Sequence, residues 1–286
     1  MDLSEQAGRE AAAWLDYPAP AQSTVVGTIK VSRDEFGGPQ IAPRPLLVYL
    51  PPSYAGSDRR YPVLYMHDGR NLFDAATSYS GEWQVDETME ALSAEGIEAL
   101  VVGIPNANDA RAGEYSPHAH SEYGGGNADA YLRFLAGTVK PLIDRSFRTL
   151  PDRAHTGTMG ASLGGLVSLY ALFTRPEVFG FAGVLSPAFW WTEGAIFPWI
   201  EQAPFVPGRI YMDVGDQEVP EVPGMREAYL NDAIRMAALL RAKGYSAADL
   251  YFAVDAGGAH REAAWARRLP TALRFLLGPL REAPGR

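Results

Sequence analysis

The chain contains no cysteine, which excludes disulfide staples, thiolate metal sites and cysteine nucleophiles and leaves the cellular compartment undecided on redox grounds. Positive charge is also in deficit. Twenty-five basic residues face 34 acidic ones, a formal net charge of −9, so the chain lacks the footprint needed to hold a nucleic-acid backbone or an anionic membrane surface. No apolar run approaches the roughly 20 residues of a spanning helix, and a soluble protein is expected. Residues 1–22 carry Asp2, Glu5, Arg9, Glu10 and Asp16, where a signal peptide needs a basic start and an unbroken apolar stretch. Export by that route is not indicated, and the default expectation is cytoplasmic. A Ser/Gly-rich or charged linker is missing too, and Pro and Gly are spread along the chain. One domain over residues 1–286 is therefore expected, with 1–23 as an N-terminal extension.

What is present is ordinary for one large core: 286 residues, 47% hydrophobic and 21% charged. Short apolar runs bounded by turn residues alternate with segments of helical period, the mark of an α/β fold with a mainly parallel sheet flanked by helices. Strands are predicted over residues 24–31, 45–50, 63–67, 99–104, 154–159, 181–185, 209–214 and 249–254. The first two, joined through the Gly37-Gly38-Pro39 turn region, read as an antiparallel pair ahead of the parallel strands. Helices are predicted over 85–95, 127–144, 163–173, 225–243 and 261–277. In the fourth, Ala228, Ile234, Ala238 and Leu239 recur at helical spacing, and Gly244 stands where a stop belongs. Residues 106–126, polar and Gly-rich, and 190–207, rich in Trp, Phe and Pro, read as long functional loops. The second belongs to a cap loop over 187–207.

The strongest local signal is Gly160-Ala161-Ser162-Leu163-Gly164, a G-x-S-x-G pentapeptide with a strand predicted before it and an apolar helix after it. That context places Ser162 on a sharp strand-to-helix turn, where glycines at 160 and 164 leave room beside the serine. The following helix aims its positive end at the turn, and the Leu163 N–H can donate to an oxyanion. A serine hydroxyl needs a base. Of the five histidines, His67 ends an early strand, His118 and His120 lie in the polar loop, and His155 sits inside the strand before the serine. His260 follows the last strand and precedes the last helix, as the order Ser, acid, His demands. The acid belongs after the 209–214 strand, in Asp213-Val214-Gly215-Asp216-Gln217-Glu218. Asp213 lies within the strand and fits least; spacing does not choose between Asp216 and Glu218. A second oxyanion donor is expected from His67-Asp68-Gly69-Arg70, with the Arg70 N–H as the candidate.

With these parts in place, the chain resembles the esterase family of α/β-hydrolases that contains enterochelin (ferric siderophore) esterases, feruloyl esterases, esterase D and the mycolyltransferases. The likeness runs from about Pro45 to Leu277. It is carried by the stretch from Tyr65 to Phe73, Trp83-Gln84-Val85-Asp86-Glu87, Arg111 with Glu114-Tyr115-Ser116-Pro117, and Lys140 to Asp144. The elbow, Ser186-Pro187 with Trp190-Trp191, and Gly258 to His260 with Trp265 complete it, and together they resemble the enterochelin esterase branch most. The resemblance implies an α/β-hydrolase fold, a Ser, acid, His triad without metal or cofactor, and oxyanion donors at Arg70 and Leu163. By the family pattern the acid stands three residues after the turn glycine, which favours Glu218 over Asp216. The strand His155-Thr156-Gly157-Thr158 is more polar than the family usually shows.

His118-Ala119-His120 has no cysteine and no third nitrogen ligand nearby, so no metal site is expected there. Trp190 and Trp191 are read as substrate contacts for an apolar or aromatic acyl group, with core packing as the alternative. Arg111 and Glu114 are candidates to orient a polar part of the substrate. The function expected is a serine carboxylic-ester hydrolase acting on a small-molecule ester, siderophore-like, hydroxycinnamoyl or another acyl ester. Transfer of the acyl group to an alcohol and a non-catalytic binder on the same scaffold remain open alternatives.

Overall fold

The short apolar runs assemble into one nine-stranded sheet. The computed structural model describes residues 13–122 and 124–281; residues 1–12 of the expected extension lie outside the described residues. The strands are β1 (Trp14–Asp16), β2 (Thr28–Ser32), β3 (Leu47–Leu50), β4 (Val63–His67), β5 (Leu100–Ile104), β6 (Thr156–Ala161), β7 (Phe181–Leu185), β8 (Arg209–Gln217) and β9 (Leu250–Ala259). Their order across the sheet is β1-β2-β3-β5-β4-β6-β7-β8-β9. β1 through β3 enter antiparallel, and all pairings from β5 to β9 are parallel. The order reverses at β4, so a crevice forms past the carboxyl ends of β4 and β6. β4, β5 and β7 are buried at every residue, which explains apolar runs without alternation. Tyr65 joins the core on one face, while Leu64 and Met66 join the core on the other.

Several boundaries and faces differ from those predicted. Trp14–Asp16, within the expected extension, pairs with β2. Gly37 and Gly38 belong to a separate small hairpin, Phe36–Gly38 against Ile41–Arg44. The polar strand starts later, at Thr156, because Arg153–His155 form a turn capped by the Asp152 carboxylate. The 127–144 helix is broken by a π segment, Leu135–Val139, where Pro141 cannot donate to the preceding turn. In the Met225–Lys243 helix the buried face is Tyr229, Ala233, Met236, Ala237 and Leu240, not the stripe through Ile234, which is exposed. With two alanines and a tyrosine among its five residues, that face is poorly marked by hydrophobicity. Residues 190–207 are not simply loop: they hold the helical turns Trp191–Gly194 and Ile196–Gln202, the second burying Ile196, Phe197 and Ile200.

Two buried polar contacts brace the crevice from below. Arg44 donates to both Glu114 carboxylate oxygens at 2.6 and 2.5 Å and to the Pro105 carbonyl at 3.1 Å. Glu114 is therefore committed to the core and does not face a substrate. His67 Nδ1 meets the Tyr131 hydroxyl at 2.8 Å and its Nε2 meets Thr158 Oγ1 at 3.0 Å. The polar character of β6 thus serves a cross-strand hydrogen bond.

Arg44→Met strands a buried carboxylate and is expected to lower stability in urea unfolding by about 3–5 kcal/mol; a loss below about 1 kcal/mol would show that the pair is solvated. Burial holds His67 neutral by lowering its pKa to about 4, below the unfolded value of about 6.5. Between those values the unfolded chain binds a proton that the native fold does not, so stability falls as pH falls, by about 3 kcal/mol across the window. Urea midpoints measured from pH 7 down to 4 should show this slope in the wild type and a flatter one in His67→Gln.

Candidate active site

Ser162 stands between β6 and the helix Leu163–Thr174 with φ 59° and ψ −125°, a backbone region that non-glycine residues occupy only when held there. Three hydrogen bonds hold it: Ser162 N–H to the Leu185 carbonyl at 3.0 Å, and Ala188 N–H and Leu166 N–H to the Ser162 carbonyl, each at 3.1 Å. A Cβ on Gly160 would come within 2.9 Å of the Gly164 backbone. Position 160 is therefore closed to larger residues, as the sequence suggested, whereas a Cβ on Gly164 would come no nearer than 3.4 Å to His67.

β8 and β9 deliver the next two groups. They pair in register from Ile210↔Leu250 to Gly215↔Asp255, but then Gln217 pairs with Ala259. Two extra residues of β9 bulge out at the Gly257-Gly258 step, where Gly257 has φ 74° and a Cβ on Gly215 would lie 2.0 Å from the Gly258 carbonyl oxygen. The bulge advances His260 to stand beside Glu218, and His260 Nδ1 meets Glu218 Oε2 at 2.7 Å. Asp216 does not reach the histidine; its Oδ1 accepts the Gly257 N–H at 2.8 Å and ties down the bulge. Asp213 is buried inside β8, accepts the Tyr211 hydroxyl at 2.8 Å, and is raised by burial to about 6.

The Glu218 side chain is sealed from solvent. Its Oε1 accepts the Ser186 hydroxyl at 2.5 Å and the Gly215 N–H at 2.7 Å. Burial opposes its charge, yet the donors His260, Ser186 and Gly215 hold its pKa below the ordinary carboxylate range. Ser186 Oγ in turn accepts Arg268 Nη2 at 2.8 Å and Trp265 Nε1 at 3.0 Å. An ionised Glu218 requires the proton on His260 Nδ1, which leaves Nε2 as the basic nitrogen. The ring stands edge-on to Trp265, centroids 5.1 Å apart, and tilted on Tyr229 at 4.7 Å. Burial raises the pKa of the Tyr229 phenol, and Ser162 is among the groups that oppose that rise.

Ser162 and His260 line one cleft of about 560 Å³ together with Arg70, Arg111, Trp83 and Trp265. Gly69 presses the Arg70 turn against β5, since a Cβ there would come within 2.7 Å of the Gly103 and Ile104 backbone. Leu163 opens the elbow helix directly beside Ser162. Arg111 clamps Asp68 with bonds of 2.7 and 2.8 Å, and Asn106 adds a third at 2.6 Å. Burial opposes the Asp68 charge, but Arg111 prevails and lowers its pKa; the guanidinium expected to meet substrate is thus also the anchor of the Asp68-Gly69-Arg70 turn. Trp191 is buried in the core and Trp190 packs against it, and neither lines the cleft; the aromatic rings that reach the cleft are Trp83 and Trp265, themselves largely buried in the core of the other sheet face, and the exposed Tyr79. Among the described residues neither His118 nor His120 belongs to a group able to hold a metal; His120 stacks on Trp191. Ser186 and Trp265 were visible in sequence only as parts of family motifs, and Tyr229 carried no signal there.

The family described as "Putative esterase" matches residues 42–276. An uncharacterized protein of Bacillus subtilis, YbbA, is 27% identical over 242 residues, covering 82% of this chain and 93% of that protein. The siderophore triacetylfusarinine C esterase of Aspergillus fumigatus is 33% identical over 138 residues, 46% of this chain and 46% of the fungal protein; the chain thus spans about half of that relative. Among solved structures, an IroE-like serine hydrolase from Shewanella oneidensis superposes with a TM-score of 0.71 at 21% identity, covering 89% of this chain and 82% of that one. The match over most of the length, on a mainly parallel sheet with the serine turn at its crevice, means that the chain belongs to the Putative esterase family and is a carboxylic ester hydrolase of the α/β-hydrolase fold.

Proposed function

We propose that Ser162 is the nucleophile of an acyl-enzyme mechanism, with His260 as its base and Glu218 as the acid that orients His260. The observation that carries this reading is the buried Glu218–His260 contact of 2.7 Å opening on the same cleft as the strained Ser162 turn. Ser162 Oγ attacks the ester carbonyl while His260 Nε2 takes its proton. The N–H groups of Leu163 and Arg70 stabilise the oxyanion. Collapse of the intermediate breaks the bond to the alcohol, which leaves with the proton returned by His260. Water then attacks the acyl-serine by the same route and releases the carboxylic acid. The charge that develops on His260 is offset by Glu218, whose ionised form is held by three donors.

The substrate class that fits the cleft is an ester with an aromatic, hydroxylated acyl group, siderophore-like or hydroxycinnamoyl. Trp83 and Trp265 lie 5.4 Å apart between centroids and form an aromatic wall, Tyr79 is 95% exposed at the rim, and Arg70 and Asn71 add polar groups. The volume lies within the usual range of small-molecule sites, roughly 300–1,000 Å³. The likeness to a fungal siderophore esterase supports a siderophore-like ester and does not bear on the aromatic group.

Ser162→Ala should lower p-nitrophenyl ester hydrolysis by at least ~10³-fold and abolish fluorophosphonate labelling while circular dichroism stays native. Retained hydrolysis would remove Ser162 from the mechanism. Glu218→Gln should reduce kcat by roughly 10³–10⁴-fold, whereas Asp216→Asn, which touches only the bulge, should stay within about tenfold of wild type; the reverse pattern in steady-state kinetics would reassign the acid. On paired substrates, kcat/KM for dihydroxybenzoyl or feruloyl esters should exceed that for acetate esters. A preference for short aliphatic acyl groups would discard the aromatic-acyl reading.

A further inference from the structure

Away from the catalytic residues, Glu82, Asp86 and Glu87 each turn a carboxylate oxygen toward the others, all within 4.8 Å. Asp86 and Glu87 lie in the first turn of the helix Val85–Ser93, and Glu82 precedes it. Asp86 is completely buried. Its Oδ2 accepts the Val26 N–H at 2.8 Å, but its Oδ1 is sealed from solvent with no hydrogen-bond partner. Glu87 Oε2 is likewise buried and unpartnered. Among the described residues, no Lys, Arg or His forms an ion pair with any of the three. Carboxylate oxygens removed from water demand a counter-charge, a donor or a proton; burial and the neighbouring Glu87 push the Asp86 carboxyl above the ordinary carboxylate range, and the half-charge of a helix N-terminus cannot serve three carboxylates.

We propose that this cluster binds a hard divalent cation of the calcium type. The donors are all carboxylate oxygens, which suit hard ions. Oxygens up to 4.8 Å apart can share one ion with bonds of roughly 2.3–2.6 Å, and water completes the six to eight positions that calcium takes. Magnesium needs tighter octahedral geometry at about 2.0–2.1 Å and keeps more of its own water, so it fits an irregular, half-buried trio less well. The ion has a structural role and takes no part in ester cleavage. Val26 and Thr24 are tied to the trio through Asp86 Oδ2 and Glu82 Oε1, the latter at 2.9 Å. Trp83 lines the cleft next in sequence to Glu82. The ion therefore fastens the 24–26 segment to the helix start and stiffens one aromatic wall of the active site.

The test uses the full chain stripped of metal, in thermal unfolding and in terbium luminescence excited through tryptophan. Calcium at about 5 mM should raise Tm by at least ~3 °C, magnesium by less; terbium should luminesce on binding and be displaced by calcium. Asp86→Asn and, as a variant with less buried change, Glu82→Gln should both lose the calcium shift and the terbium signal while keeping a cooperative transition. Absence of both responses in the wild type would overturn the site. So would responses of undiminished size in both variants. A wild-type Tm unmoved by calcium, beside a higher Tm for Asp86→Asn, would replace the ion with a proton shared between Asp86 and Glu87.

Discussion

A serine held in a left-handed backbone conformation is unstable in isolation, and the centre of this molecule is arranged to keep Ser162 there. β6 brings the chain to the turn, the helix Leu163–Thr174 leads it away, and β7 fixes it through the Leu185 carbonyl. Such strain, of order 1–3 kcal/mol, persists only where the surroundings over-determine it. The glycine at 160 follows from this, because there the strand approaches the Gly164 backbone within contact distance across the turn.

The second constraint is electrostatic. Glu218 is an acid without solvent, and it stays ionised only because a serine hydroxyl, a backbone amide and the histidine all point at it. Ser186 is itself fed by Arg268 and Trp265 from the last helix. The network thus joins β7, β8, β9 and that helix at one point. Its alignment rests on the bulge in β9. If the register that places Asp255 opposite Gly215 continued without the bulge, Gly258 rather than His260 would stand opposite Glu218. Asp216 secures that bulge through the Gly257 amide, so of the two neighbouring acids Glu218 meets His260 and Asp216 supports the loop carrying it.

The crevice wall shows the same economy of function. Arg111 bonds Asp68 and thereby shapes the turn that presents Arg70, while the Arg44–Glu114 pair holds the segment bearing Arg111 from behind. The polar residues of β6 act similarly: Thr158 reaches His67 across the sheet and stitches the two strands whose ends carry the serine and the Asp68 turn.

The local signals of this chain were sufficient for its class. Turn residues, apolar runs and helical periods located the strands 63–67 and 181–185 and the helix 225–243 at their observed limits, because these features are set by residues close together in the chain. The placement of Ser162 on a strand-to-helix turn and of His260 after the last strand was likewise legible, one from its glycines and the other from its order in the chain, and both line one cleft. What sequence spacing alone left open was decided by contacts between distant segments. The choice between Asp216 and Glu218 depends on the register of β8 against β9, and register is a property of two strands and a bulge. Trp190 and Trp191 pack at the core through contacts with distant segments, Trp190 on Tyr229 and Trp191 on His120, while Trp83 and Trp265, 182 positions apart in the chain, meet beside the cleft. Local composition therefore determined which elements form and where the serine turn sits; only tertiary packing decided which acid meets the histidine and which rings line the cleft, since burial and pairing are resolved by the whole sheet at once.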